Sequence, residues 1–379
     1  MLLWRSGAGR KVAAGVGVLL AGAVVLAVGV LAEDEVAEFA SAFGNVAPLV
    51  LLAVLAQLVP VWPALRPLTW LVFGLLMLVG LAIVVAATVM PFDVEASDAP
   101  PPDAVSAMIV AFGLGVLGLC GSLVLLVGGL WVRLARWLGG RVDPADPRHA
   151  QALVGLVAAS ILAFVPLIAL GGEAPALEIA ATDPDFFNRD RSTGGQLLDL
   201  VYNLAWTIPL ALLLVGVPIQ RTVREAVARL GVRALGLRGL GVGIAAAGVL
   251  WVVGTALDHA TYWLWGVAEW PRTDGELVDL LMGVALSPLG ALVAATAAGL
   301  GEELMMRGVL QPRFGWLLPN LTFTAAHALQ YNLDALVGVF VLGAILALVR
   351  ARWSTSEAIV AHVLYDLVLF LGGAFDLGK

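Results

Sequence analysis

Three short segments in the last third of the 379-residue chain carry side chains that could perform chemistry together. The segments read AAGLGEELMMRGVL, LTFTAAHAL and AIVAHVLYDLVLF, and their notable members are Glu302, Glu303, Arg307, Phe323, His327, His362 and Asp366. A spacing of four residues puts the paired members of each segment on one face of a helix. Adjacent helical residues point about 100° apart. Glu303 is therefore expected to form a structural ion pair with Arg307, while Glu302 points elsewhere.

Two histidines and two or three carboxylates could together hydrolyse a peptide bond. This reaction needs a base that makes water nucleophilic and a donor that stabilises the oxyanion. Glu302 with His327 could polarise the water. His362 could donate to the oxyanion, with Asp366 orienting or neutralising its imidazole ring.

The same residue types also suit a metal centre. A Zn²⁺ ion could be bound by His327, His362 and a carboxylate from Glu302 or Asp366, with a remaining glutamate as base. The H-E-x-x-H signature of zinc metalloproteases does not occur, so the sequence allows a metal without requiring one.

The elements that must position these groups are membrane-spanning helices. The chain is 61% hydrophobic and only 13% charged, with a mean hydropathy of +0.97. Soluble domains carry roughly 25% charged residues, so a water-soluble enzyme and a disordered chain are excluded. Cys120 is the only cysteine, which also excludes a disulfide scaffold. No feature points to a nucleic-acid partner; the expected partners are membrane lipids and a peptide or protein.

Eleven apolar runs are predicted to be spans on the criterion that a helix needs about 20 residues to cross roughly 30 Å of hydrocarbon, and the ninth and tenth runs are shorter than that. The predicted spans are 11–32, 46–63, 69–90, 105–132, 151–171, 197–218, 239–257, 280–311, 316–331, 335–349 and 355–372. The predicted fold class is an all-α polytopic membrane bundle. The first run is longer than the core of a signal peptide, which favours an uncleaved span.

The charges between the spans predict the orientation and the domain organisation. Alternate loops hold nearly all the arginines, and the other loops are acidic, so the positive-inside rule predicts a cytoplasmic N-terminus. Residues 219–238 form a basic amphipathic connector, expected to lie on anionic headgroups. The connector separates an N-terminal six-span region, residues 1–218, from a core over residues 239–379.

Ionisable groups within spans are expensive and are functional candidates by default. At a rise of 1.5 Å per residue, Glu302 and His327 both lie about 16 Å from the cytoplasmic interface. His362 lies at about 14 Å and Asp366 at about 20 Å on the same scale. Three helices thus place polar groups at similar depth, as one shared site requires.

The three motifs, in this order, resemble the family of CAAX proteases and bacteriocin-processing enzymes, also called CPBP or Abi. Its marks are E-E-x-x-x-R, F-x-x-x-H and H-x-x-x-N, and the resemblance covers about residues 288–372. It implies a helical intramembrane endopeptidase with a site open to the cytosol. By matching position, Glu302 and His327 would activate water and His362 would support the oxyanion.

Members of this family are often described as metalloproteases, although a metal-free mechanism is argued for the eukaryotic enzymes. Two positions depart from the family pattern. Met306 replaces the usual phenylalanine before the arginine. Asp366 stands where asparagine is commonest, and an ionised aspartate cannot donate to an oxyanion.

The sequence therefore predicts an intramembrane endopeptidase of a bacterial plasma membrane. Its substrate would be a membrane-associated or C-terminal peptide, lipid-modified or not. One alternative is a transporter or channel whose intramembrane charges line an ion or proton path. Another is a non-catalytic immunity or scaffold protein with the same fold.

Overall fold

The structure is a computed structural model that describes residues 7–89, 193–268 and 283–374, with the isolated residues 133, 136, 137, 174, 176, 177, 272 and 273. Ten α-helices dominate these ranges, and the described residues contain no strand. The helices are α1 (Gly7–Leu31), α2 (Asp34–Leu58), α3 (Arg66–Val89), α4 (Thr193–Leu214), α5 (Val223–Leu230), α6 (Leu237–Ala268), α7 (Pro288–Glu303), α8 (Leu317–Ala326), α9 (Leu333–Arg352) and α10 (Thr355–Ala374). Between α7 and α8 lie a π-helical segment, Leu304–Leu310, and one α-helical turn, Gln311–Phe314.

Seven helical stretches in the described residues are long and apolar enough to cross a membrane. They contain α1, α2, α4, α6, α7 with its continuation to Phe314, α9 and α10. The all-α polytopic membrane fold is confirmed, and the chain is a multi-pass membrane protein. The predicted spans at 105–132 and 151–171 lie outside the described residues, so the number eleven remains a prediction, as does the cytoplasmic N-terminus.

Two spans are longer than the hydrophobic pattern predicted. Helix α2 begins at Asp34 where a start at 46 was predicted, and α6 continues to Ala268 past the predicted end at 257. A helix need not end where the hydrocarbon ends, because its terminal turns remain satisfied among headgroups. Acidic residues in a first turn, such as Asp34 and Glu35, are also favoured by the helix dipole.

The predicted span at 316–331 is not one continuous helix. Helix α8 has ten residues and ends at Ala326, followed by a 3₁₀ turn, His327–Leu329. The chain then reaches Asn332, whose side-chain amide donates to the backbone oxygen of Arg272, beyond the end of α6. Polar, irregular backbone is tolerated at membrane depth where it lines a cavity, and this segment does so.

One apolar core joins the early helices to the later ones. Val54 of α2, Leu214 of α4, Leu230 of α5 and Val309 of the π-helical segment are all buried in it. The connector thus buries Ile219, Ala226 and Leu230 against protein, whereas Val223 and Leu237 stay exposed. The predicted division of the chain at residues 219–238 remains a prediction.

Helix α5 is bounded by clear capping signals. Thr222 caps its first turn, and the backbone N–H and side-chain hydroxyl of Thr222 both donate to Glu225. These hydrogen bonds, the backbone one first, lower the pKa of Glu225. Gly231 ends the helix with φ of +73°, a conformation that glycine adopts without strain.

Close contact between α7 and α10 sets the frame of the site. A Cβ on Gly299 would lie 2.8 Å from the backbone nitrogen of Val363, so only glycine permits this approach. Val363 follows His362 directly in the chain. The small residue therefore brings the histidine of α10 against the glutamates that end α7.

Candidate active site

Helix α7 changes its winding immediately after the paired glutamates. The π-helical segment Leu304–Leu310 follows Glu303, and the N–H of Gln311 bonds the oxygen of Met306, five residues back. Single π-helical turns inside α-helices occur frequently at functional sites. Hydrophobic periodicity carries no signal for this change, and the sequence predicted an ordinary helix here.

Glu303 is the centre of a buried ionic cluster. One of its carboxylate oxygens, Oε1, lies 3.2 Å from Nη1 of Arg307. The same oxygen lies 2.9 Å from Nδ1 of His362, where the ring N–H donates to the carboxylate. The exposed fraction is 0% for Glu303 and 1% for Arg307. The predicted ion pair is confirmed, and it also holds the histidine of the third motif.

The guanidinium of Arg307 is held on two further sides. Its Nη2 donates to the backbone oxygen of Gly343 in α9 at 2.9 Å. Its Cζ lies 4.7 Å from the ring centroid of Phe323, a cation–π distance. Arg307 therefore links the π-helical segment to both α8 and α9.

Phe323 lies where the three motifs meet. Its ring centroid is 4.7 Å from that of His327 and 6.1 Å from that of His362. With Arg307 on the same ring, one aromatic side chain touches the charged or imidazole group of every motif. The ring of Phe323 thus lies close to both histidine rings.

His327 is oriented by a hydrogen bond that defines its chemistry. Its Nδ1 lies 2.8 Å from the backbone oxygen of Phe323, and a carbonyl can only accept. Nδ1 therefore carries the proton, and in the neutral ring Nε2 is an acceptor. Tyr331 stacks on the ring with an interplanar angle of 7°. Sequence reasoning missed Tyr331, which stands four residues after His327, and that spacing was the available signal.

Glu302 has surroundings unlike those of Glu303. Its side chain is 34% exposed, and its buried Oε2, like the Oε2 of Glu303, has no hydrogen-bond partner. This atom lies 3.9 Å from Nε2 of His362, which in turn is 3.4 Å from Oδ2 of Asp366. Glu302, Asp366 and Nε2 of His362 thus converge, and Glu302 forms no direct hydrogen bond with the ring. Such a gap suits a small molecule placed between them.

A cavity of about 810 Å³ opens onto these groups. Its lining includes Glu302, His327, His362 and Asp366, together with Asn203 of α4, Asp258 of α6 and Asp334 of α9. Glu302 and His327 face this cavity without a hydrogen bond joining them. Glu302, His327, His362 and Asp366 therefore share one chamber, while Glu303 and Arg307 do not line it and support it from behind.

The donor side chains of the site do not form a metal centre in the described structure. Within the described ranges, no group of three or more His, Cys, Asp or Glu side chains has an arrangement that could hold a metal ion. This geometry supports no catalytic step through a metal, and Zn²⁺ binding remains a prediction.

Fold and site together define a helical membrane protein with a buried glutamate–histidine centre. Residues 284–368 match the family model described as type II CAAX prenyl endopeptidase Rce1-like. All six predicted site residues lie within this match, which supports the predicted resemblance of this part of the chain to the CAAX protease (CPBP) family. Searches of curated proteins and of solved structures return no match.

Proposed function

We propose that the protein is an intramembrane endopeptidase that hydrolyses a peptide bond with water activated by Glu302 and His327. The observation that carries the proposal is the unpartnered Oε2 of Glu302, which lies in the chamber lined by both histidines. A buried carboxylate oxygen without a donor is costly unless water or substrate supplies one.

Each proton that moves in the reaction has a named donor and acceptor. A water bound between Glu302 and Nε2 of His327 loses a proton to the Glu302 carboxylate as its oxygen attacks the peptide carbonyl carbon. The N–H on Nε2 of His362 donates to the developing oxyanion. Glu302 then returns the proton to the amine nitrogen as the C–N bond breaks. Two products leave, one with a new carboxylate and one with a new amine.

The remaining site residues position His362. Glu303 accepts from Nδ1 of its ring, and Asp366 lies against Nε2 on the other side. With carboxylates facing both nitrogens, the imidazolium form can donate from both. Asp366 then acts on His362 and need not donate to the oxyanion itself, which accounts for an aspartate at this position.

The proposed substrate is a membrane-associated or C-terminal peptide. The chamber combines its polar groups with apolar lining from several helices, including Leu200, Leu204, Met305 and Phe370. Such a lining would accept a lipid-modified segment as well as an apolar peptide. The description of the matched family names a prenyl endopeptidase, and a prenylated peptide is one such lipid-modified segment. We place the chamber's opening on the cytoplasmic side of a bacterial plasma membrane.

The test is peptide cleavage by purified protein in lipid nanodiscs. The probes are an internally quenched peptide with a prenylated cysteine followed by three residues, and the same peptide without the prenyl group. Glu302→Gln should lower kcat by about 10²–10⁴-fold, the usual contribution of a general base. Glu38→Gln, an exposed glutamate on α2, is the matched control.

Unchanged turnover in Glu302→Gln would remove this glutamate from the mechanism. Proton flux in proteoliposomes without any peptide cleavage would favour the transporter alternative. Elemental analysis of active, chelator-washed protein separates the metal-free mechanism from one with Zn²⁺ on His327, His362 and Glu302 or Asp366.

A further inference from the structure

A proline lies in the span that carries the paired glutamates. Pro312 follows the π-helical segment within the stretch Pro288–Phe314, which is otherwise long and apolar enough to cross the membrane. Proline has no backbone N–H. Pro312 therefore cannot donate to the carbonyls four and five residues before it, those of Gly308 and Arg307.

The π-helical winding removes the other helical donor for Arg307. In an α-helix the N–H of Gln311 would bond the Arg307 oxygen, but here it bonds the oxygen of Met306. The Arg307 carbonyl thus lacks both its α-helical and its π-helical donor. In the low-dielectric interior of a membrane protein an unmade backbone hydrogen bond is strongly unfavourable.

Two arginine side chains supply the missing donors. Nε of Arg350, in the last turn of α9, donates to the oxygen of Arg307 at 3.2 Å. Nη1 of Arg229, in the last turn of α5, donates to the oxygen of Gly308 at 3.2 Å. We call Arg229 and Arg350 the carbonyl clamp.

The connector holds the clamp in place. A Cβ on Gly231 would lie 2.6 Å from Nη2 of Arg350, so the guanidinium packs directly on this glycine. The oxygen of Gly231 accepts from the N–H of Thr355 at 3.1 Å, which fixes the connector to the start of α10. Leu230 contacts Gly308, where a Cβ would meet its backbone oxygen at 3.3 Å. The connector therefore meets α9, α10 and the π-helical segment at one point.

We propose that Arg350 and Arg229 are positioning residues for the site. The carbonyl that Arg350 bonds belongs to Arg307, whose guanidinium holds Glu303 and, through it, His362. The clamp bonds the two carbonyls that the π-helical winding and Pro312 leave open, and so fixes the direction of these side chains. Only the activity measurements in the test depend on the proposed function.

The test compares Arg350→Met with Arg352→Met in the full chain in nanodiscs. Methionine is similar in length and has no donor, and Arg352 is an exposed arginine of the same turn. Arg350→Met should speed amide hydrogen exchange in residues 304–314 at least about tenfold, equivalent to about 1.4 kcal/mol. On the quenched peptide, kcat should fall by a similar factor with KM nearly unchanged. Arg352→Met should behave like the wild type.

Rescue by a second substitution separates positioning from a general loss of stability. Pro312→Ala restores an N–H that can reach the carbonyl of Gly308 or Arg307. In the Arg350→Met background it should recover most of the slow exchange and most of kcat. Arg350→Met alone could fail to fold. In that case, recovery of folding in the double variant with Pro312→Ala is the expected rescue.

Exchange in Arg350→Met equal to that in Arg352→Met would overturn the proposal, as would a loss that Pro312→Ala does not reduce. If neither the single nor the double variant folds, Arg229→Met is measured instead. It removes the donor to the Gly308 carbonyl and keeps Arg350, so exchange equal to wild type would overturn the clamp. The expected exchange pattern in a protein that cuts no peptide would overturn only the proposed function.

Discussion

Two adjacent glutamates of identical chemistry have separate roles because a helix turns about 100° between them. Glu303 points into protein, where Arg307 and His362 share its Oε1. Glu302 points into the chamber, where its Oε2 has no partner. At the residue scale, direction on the helix therefore separates a carboxylate in an ion pair from the carboxylate that is proposed to react.

Glu303→Gln should destabilise the protein, whereas Glu302→Gln should not. Removing one member of a buried ion pair leaves an uncompensated charge and costs about 3–5 kcal/mol. We expect a clear fall in Tm for Glu303→Gln, measured by intrinsic fluorescence in nanodiscs. Glu302→Gln is the matched control and should melt within a few degrees of wild type. Equal Tm values for both variants would contradict the division of roles.

At the scale of helices, close packing of α7 on α10 determines whether the motifs meet. Gly299 lies close to the backbone of Val363, Glu302 follows Gly299 by three residues, and His362 directly precedes Val363. Protein interiors are close-packed, so one added methyl group must move one helix or the other. The same movement would change the distance from Glu302 to His362.

Gly299→Ala should therefore reduce both stability and turnover. Overpacking of this kind costs about 1–3 kcal/mol. Gly241→Ala on α6 is the control, because nothing lies within 4 Å of a Cβ at that position. Thermal melts and kcat on the quenched peptide are the measurements. A Gly299→Ala protein with wild-type Tm and kcat would show that α10 does not need this close approach.

At the scale of the whole molecule, basic side chains gather at one end of the bundle. Lys11 at the start of α1 donates to Gln220 of the connector, and Arg233 pairs with Glu357 at the start of α10. Arg350 ends α9 at the same place. The positive-inside rule assigns this arginine-rich end to the cytoplasm.

Cysteine labelling tests that orientation. In a Cys120→Ala background, Arg224→Cys places a thiol on exposed α5 and Val267→Cys places one at the far end of α6. A membrane-impermeant maleimide added to intact cells should label position 267 and spare position 224. Inverted vesicles should give the opposite pattern. Reversed labelling in both preparations would place the N-terminus outside.

The sequence by itself determined the class of protein and the seven spans found in the described residues, and it predicted the six site residues that the structure brings together. These follow from short-range facts: long apolar runs cross membranes, and residues four apart share a helical face. The ends of α2 and α6 were less determined, because hydropathy marks the hydrocarbon and not the end of a helix.

Tertiary structure alone decided how the residues of the site are held. The π-helical turn before Pro312, the arginines that bond its open carbonyls and the stacking of Tyr331 on His327 all depend on partners brought together by folding. Arg350 and Arg307 are 43 positions apart in the chain, so no local pattern links them. A hydrogen bond between such distant groups exists only after the helices have packed, because packing is what places the donor within reach of the carbonyl.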